Sequence, residues 1–321
     1  MFLRPPRFGK SLLKSTLHSY YDFRQEKDFD HLFGDLYIGK NPTPLRNRFY
    51  VLPLDFSIDV NGGDPKLISA ALRDNINRSV KKFSQVYQLP FEINVDDAFD
   101  SLCSLMHAVS LSDNPRLLIL IDEYDRFANK LMLENVEAYG VSGDRLSSPI
   151  RTFYEVIKEG VPGLKDYRSI TFGIAPIALA DAYGANNIRN ITFTPRLADA
   201  CGFTKEELAQ ALEAIGVTGE DQQVALEVTK RFYNGYRFDQ DVLEEQMVYN
   251  TTLCLSFLQK YQSDADFRDI VKAWKAIPPE KLIVQLKVRF HFLRLCFCPT
   301  QHPPDAKSFL FPTGSQHKPK R

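Results

Sequence analysis

The sequence predicts an α/β fold with a parallel central sheet, followed by a helical C-terminal subdomain. Residues 117–121 form a continuous aliphatic run, as expected of a strand covered on both faces. Strand-like runs at 49–57, 117–121, 169–174 and 190–194 alternate with stretches of helical spacing, the pattern of strands joined by crossover helices. From residue 201 onward only helical patterns recur.

The first helix follows Gly9-Lys10-Ser11 directly, with Leu12, Leu13, Leu17 and Tyr20 at helical spacing. A polar, aromatic connection runs to about residue 48. Residues 49–57 read as a buried strand in spite of Pro53, which suits an edge or a bulge. Asp64-Pro65 opens a helix to about residue 87, with proline in its favoured first turn. A helix over 96–112 is stopped by Asn114-Pro115. A looser segment over 126–145 precedes a helix over 148–159, and Pro176 begins a short helix after the 169–174 strand. Thr204 and Glu207 form a capping-box pattern ahead of Leu208, Leu212 and Ile215. Helices over 220–232 and 250–261 follow, separated by a turn at Asn234-Gly235. The expected organisation is a main domain over 1–200, a helical lid over 201–262 and a weakly specified tail over 263–321. The tail is Pro-rich and basic from residue 303 and is expected to be disordered.

Composition excludes several classes of protein. The 321 residues are 44% hydrophobic and 25% charged, ordinary values for a packed chain. Forty Lys and Arg balance forty Asp and Glu, so no global field draws nucleic acid or an anionic membrane. Five scattered cysteines make no disulfide framework, and the first residues lack the apolar core of a signal peptide. No apolar run approaches the length of a membrane span. The expected location is intracellular, cytoplasmic or nuclear, and not secreted.

Two features point to phosphate chemistry. Gly9-Lys10-Ser11 stands at a helix start, where backbone N–H groups and the helix dipole favour an anion. A lysine there reaches β- and γ-phosphates, and the following hydroxyl can hold Mg²⁺. The full G-x-x-x-x-G-K-[ST] pattern, Walker A, has a glycine where this chain has Arg4. The half-pattern also suits a plain turn beside a solvated helix. Second, the 117–121 strand ends in Asp122-Glu123-Tyr124-Asp125, which places acids at the carboxyl edge of a parallel sheet, where such sheets bind ligands. The first acid, in the Walker B position, would hold Mg²⁺ through water, and the second would orient or deprotonate an attacking water. A solvated surface turn is the plainer alternative. With the 49–57 strand inserted between the two features, the order fits P-loop proteins that carry a catalytic glutamate, and Thr171 would then sense the γ-phosphate.

Other clusters carry weaker chemistry. His291, Cys296, Cys298 and His302 have ligand types for zinc, but Cys-x-Cys is tighter than the usual spacing. Lys307, Lys318, Lys320 and Arg321 make a basic tail that suits nucleic-acid contact or targeting, or only solubility. Tyr233, Tyr236 and Phe238 with Arg237 suit base stacking or the packing of a lid. Arg196 and Arg237 are candidates for an arginine finger. No Glu-x-Lys occurs, which argues against the usual nuclease core.

At these residues the chain resembles the AAA-ATPase-like domain common in fungi, bacteria and other microbes. The stretch from Leu3 to Ser11 resembles its L-R-P-R-R-F-G-K-S, in which arginine already stands at the first-glycine position. Leu54-Asp55-Phe56-Ser57 resembles its L-D-F-S, Ile121 to Asp125 its I-D-E-Y-D, and Thr171 to Ile177 its T-G-V-S-P-I. Similarities continue at Asn187 to Thr192, Gly202-Phe203-Thr204 and Tyr233 to Phe238, so the resemblance spans residues 2–258. It implies a three-layer P-loop NTPase that binds ATP and Mg²⁺ and hydrolyses ATP slowly as a conformational switch. Arg7, Phe8, Gly9, Lys10, Ser11 and Leu12 would hold the nucleotide, and Ser11 and Asp122 the metal. Lys10, Glu123 and Thr171 would be catalytic. The expected partners are a nucleotide, a protein the sequence does not specify, and further copies of the chain; membrane and nucleic acid are not expected.

Departures from the family pattern are Pro6 for arginine, Ala175 for serine, and unrelated sequence after about residue 260. The family also carries a stretch before the loop that includes the first strand. Met1-Phe2-Leu3 is too little for a central strand, which suggests a truncated product. A degenerate interaction scaffold is therefore the alternative to an ATPase.

Overall fold

The computed structural model describes residues 1–57, 65–126, 148–174, 188–233, 236–238 and 247–277. The chain divides into two compact units, Met1–Gly202 and Phe203–Arg321.

The first unit is built on four parallel strands: β1 (Phe2–Leu3), β2 (Tyr50–Asp55), β3 (Arg116–Asp122) and β4 (Asp166–Gly173), in the order β1-β4-β3-β2. β3 is central because it has no polar residue from Leu117 to Ile121, and every one of those side chains is buried. β2 lies at the end of this order, where Pro53 is tolerated with its side chain exposed. Met1–Leu3, expected to be too little for a central strand, supplies only the two-residue β1 at the end of this order, where Phe2 and Leu3 pair with Phe172 and Gly173. The strand that separates β1 from β3 is β4, not the 49–57 strand, although the latter lies between them in sequence.

Residues 190–194, expected as a strand, form none. The Asn190 side chain accepts from Thr192 N at 3.0 Å, and Thr194 N bonds Ile191 O at 3.2 Å, so local turns consume donors that a ladder would need. The segment still flanks β1: Ile191 N donates to Met1 O at 2.8 Å, and Leu3 N donates to Thr192 Oγ1 at 3.1 Å.

Helices cover the sheet. α4 (Pro65–Tyr87), α5 (Ala98–Ser110) and α6 (Ser148–Glu159) bury Ile68, Leu72, Ile76, Leu102, Leu105 and Phe153 against Leu52, Leu54, Leu117, Ile119 and Ile121. The strand members recur at every second position and the α4 members every four, as one face of each element requires. α1 (Lys10–Tyr21) contacts β2 and β3 but has no member in that cluster. Between α1 and β2 the polar connection is partly ordered, with short helices α2 (Phe29–Phe33) and α3 (Tyr37–Lys40). Phe29 and Phe33 pack on Tyr20 of α1.

Among its described residues the second unit is helical: α7 (Lys205–Ala214), α8 (Gly219–Tyr233), α9 (Thr251–Ser263) and α10 (Ala265–Lys272). The Thr204–Glu207 capping box is present. Asn250 and Asp264 cap α9 and α10 through Leu253 N and Phe267 N. Leu208, Leu212, Val228, Phe257, Phe267 and Val271 form its core. α10 extends this unit past residue 262, where apolar spacing alone predicts nothing firm. The looser 126–145 segment (apart from Arg126), the helix from Pro176, Ala175, the Asn234-Gly235 turn and everything from residue 278 lie outside the described residues.

Candidate functional site

The carboxyl ends of all four strands fall at one edge of the sheet. Register pairs Asp55 with Asp122, Ile121 with Thr171, and Leu3 with Gly173, so the loop after β1, the acids after β3 and the end of β4 converge. The loop runs from Arg4 to Gly9, the residue before α1. Gly9 has φ 91°, a left-handed backbone that only glycine adopts freely, and Arg7 has φ 66°. The first intrahelical bond of α1 joins Leu13 N to Gly9 O at 2.9 Å, so the N–H groups of Lys10, Ser11 and Leu12 precede the helical ladder. Leu12's side chain is exposed and Phe8's is buried, so these two would serve a ligand through backbone only. Ser11 is exposed at the helix start.

Lys10 is buried and folds back over its own loop: Nζ donates to Arg4 O at 2.9 Å and to Pro5 O at 3.1 Å. Burial pushes its pKa below the usual lysine value, and Glu123, Asp122 and Asp125 oppose that shift. A lysine held by carbonyl oxygens can pass to an anion by a change of side-chain rotamer.

Arg4 is a structural tie. It is fully buried, its Nη1 donates to Leu3 O at 2.9 Å and Thr192 O at 3.0 Å, and its Nη2 donates to Leu197 O. The guanidinium also lies 4.2 Å from the Phe2 ring centre. Burial lowers its pKa to about 10, still cationic at neutral pH. A glycine at this position would leave residues 192–198 unpinned.

Asp122 closes β3 almost wholly buried, and its carboxylate is the meeting point of the site. Oδ2 accepts from Ser11 Oγ at 3.2 Å and from Lys14 Nζ at 2.8 Å, while Oδ1 accepts from Glu123 N at 3.1 Å. Glu123 follows with φ 55°, a left-handed conformation that side chains resist. Burial raises its carboxyl pKa above the ordinary value, with Lys10 pulling the other way. Asp125, also buried, accepts from Ile174 N at 2.9 Å and so fastens the acidic turn to the end of β4. Gly173 makes that possible, because a Cβ there would overlap the Tyr124 ring and stand 2.9 Å from Asp125 Oδ1. Thr171 is buried one strand away, beside the Tyr154 hydroxyl.

The structure thus gathers Lys10, Ser11, Asp122 and Glu123, residues far apart in the chain. A family model, AAA-ATPase-like, described as Predicted AAA-ATPase, matches residues 1–182. The chain belongs to this family. No curated protein and no solved structure matches it. The AAA-ATPase-like match contains the loop, the acids and Thr171, and it ends before the similarities noted at 187–192, 202–204 and 233–238.

Membership in the AAA-ATPase-like family suggests nucleotide and metal use. Among the described residues no group of three or more His, Cys, Asp and Glu could hold a metal ion. Magnesium does not require one: it usually takes one or two protein oxygens and completes its shell with water and phosphate. Ser11 Oγ and the Asp122 carboxylate, hard oxygen donors 3.2 Å apart, fit that demand.

Tyr233 and Phe238 are buried, and the Tyr233 ring lies 6.0 Å from Phe257, which is core packing within the helical unit. Arg196 and Arg237 are exposed. His291, Cys296, Cys298, His302, Lys307, Lys318, Lys320 and Arg321 fall outside the described residues. No helix among the described residues is long and apolar enough to cross a membrane. Sequence reasoning missed Lys14. The available signal was its spacing, three residues after Ser11 and four after Lys10, which makes it a helical neighbour of each.

Proposed function

We propose that this AAA-ATPase-like chain binds ATP with Mg²⁺ and hydrolyses it slowly as a conformational switch. In this reading residues 1–200 are a three-layer P-loop domain and residues 201–262 a helical lid. The observation that carries it is the Ser11–Asp122 hydrogen bond across 111 positions of sequence, which joins the helix start to the acid pair at the sheet edge. Lys10 leaves the Arg4 and Pro5 carbonyls for the β- and γ-phosphates, and the N–H groups of Lys10, Ser11 and Leu12 receive phosphate oxygens. Ser11 and Asp122 hold the metal, which when bound neutralises charge developing on the phosphates. Glu123, its carboxyl kept half out of water, orients and accepts a proton from the attacking water. Thr171 contacts the γ-phosphate from β4.

One observation favours a non-hydrolysing interaction scaffold instead. Asp122 already carries a cation partner, Lys14, where a metal-binding carboxylate would need to be free. Phosphate release from Mg-ATP separates the two readings. A hydrolase releases phosphate in the wild type and loses turnover in Glu123→Gln by at least about a hundredfold with ATP binding kept. A scaffold releases none from either protein.

A further inference from the structure

Lys14 Nζ lies 2.8 Å from Asp122 Oδ2, the same oxygen that accepts from Ser11 Oγ at 3.2 Å. Lys14 is 15% exposed and Asp122 3%, so the pair is shielded from solvent and from salt. Three acids, Asp122, Glu123 and Asp125, crowd this corner, and Lys10 is committed to the Arg4 and Pro5 carbonyls. The cation on Asp122 is therefore supplied by the chain itself.

We infer that Lys14 is a tethered competitor of Mg²⁺ for Asp122, which sets how strongly nucleotide binding depends on the metal. The inference rests on the nucleotide-binding reading above and adds a regulatory residue to it. Lys14 and a divalent cation cannot both occupy Oδ2 at contact distance, since their charges repel at a few ångströms. With Lys14 engaged, the acid corner is already partly neutralised, and an incoming triphosphate meets less repulsion without metal. With Mg²⁺ bound, Lys14 must swing off Asp122. It stands one helical turn beyond Lys10 on a flexible four-carbon stem, so this movement leaves the backbone of α1 in place. The metal's contribution to ATP affinity is thereby reduced by the work of displacing a resident cation.

The test is the ratio of ATP affinities in excess Mg²⁺ and in excess chelator, measured by equilibrium dialysis of labelled ATP against the full chain. Wild type is expected to show a small ratio. Lys14→Met is expected to raise it by at least about tenfold, through tighter binding with metal and weaker binding without it, while Lys14→Arg stays near wild type. If Lys14→Met shows no cooperative unfolding transition, Lys14→Gln, which still donates to Asp122 without a charge, replaces it and carries the same expectation. An unchanged ratio in a folded variant overturns the inference and leaves ATP binding standing. A wild-type chain that binds no ATP under either condition overturns the proposed function and this inference with it.

Discussion

Glu123 holds a backbone angle, φ 55°, that places its Cβ against the following carbonyl. It also keeps a carboxyl group where burial opposes its charge. Both features cost stability, and both are expected of a residue set for chemistry rather than for packing. Replacing Glu123 with glycine should therefore stabilise the chain by roughly 0.5–1 kcal/mol at neutral pH, the backbone relief less the added freedom of the unfolded glycine. The gain should depend on pH. A raised folded-state pKa means that the folded chain binds the proton more readily than the unfolded one. The wild-type charge penalty is thus present above that raised pKa and vanishes below the ordinary value near 4.5. Urea unfolding of both proteins between pH 4 and pH 7.5 checks this: the difference should shrink as pH falls. At this scale the sequence singled out Lys10, Ser11, Asp122 and Glu123, and the structure brings these four together at the sheet edge. Lys14 and Arg4 were less legible, because what they do depends on partners that only the fold brings near. Arg4 reaches Thr192 and Leu197, far along the chain.

Elements were legible where one local signal dominated. The aliphatic run of β3 admits little else, and the Thr204–Glu207 pair marks the start of α7 as expected. Ser148–Glu159 is helical over the predicted span. Residues 190–194 failed because Asn190 turns its side chain onto Thr192 N, an alternative that β-propensity ignores. α10 was missed because its apolar positions, Phe267 and Val271, are only one turn apart in a short helix. Caps give the most direct check on an element. Asp97 accepts from Phe99 N at 2.9 Å and Asp100 N at 3.2 Å at the start of α5. Asp97→Ala should cost about 1 kcal/mol in chemical denaturation. The loss should appear as faster hydrogen exchange in the first turn of α5, with β3 protected as before.

For the whole molecule, the parallel register does what no single segment could. It brings the ends of β1, β3 and β4 to one edge, so that Ser11 at the start of α1 and Asp122 at the end of β3 share a hydrogen bond. The alternation of strand and helix patterns predicts the fold class, but sheet order came only with the structure. That β4 rather than β2 separates β1 from β3 depends on packing between strands distant in sequence. The most direct measurement is thermal unfolding of the full chain with and without Mg-ATP, with Lys10→Ala alongside. At one hundred times its dissociation constant ATP should add about 2.7 kcal/mol and raise the wild-type midpoint by several degrees. Lys10→Ala should show no rise. A wild-type midpoint that ignores Mg-ATP, or a Lys10→Ala midpoint that rises equally, would contradict nucleotide binding at this site.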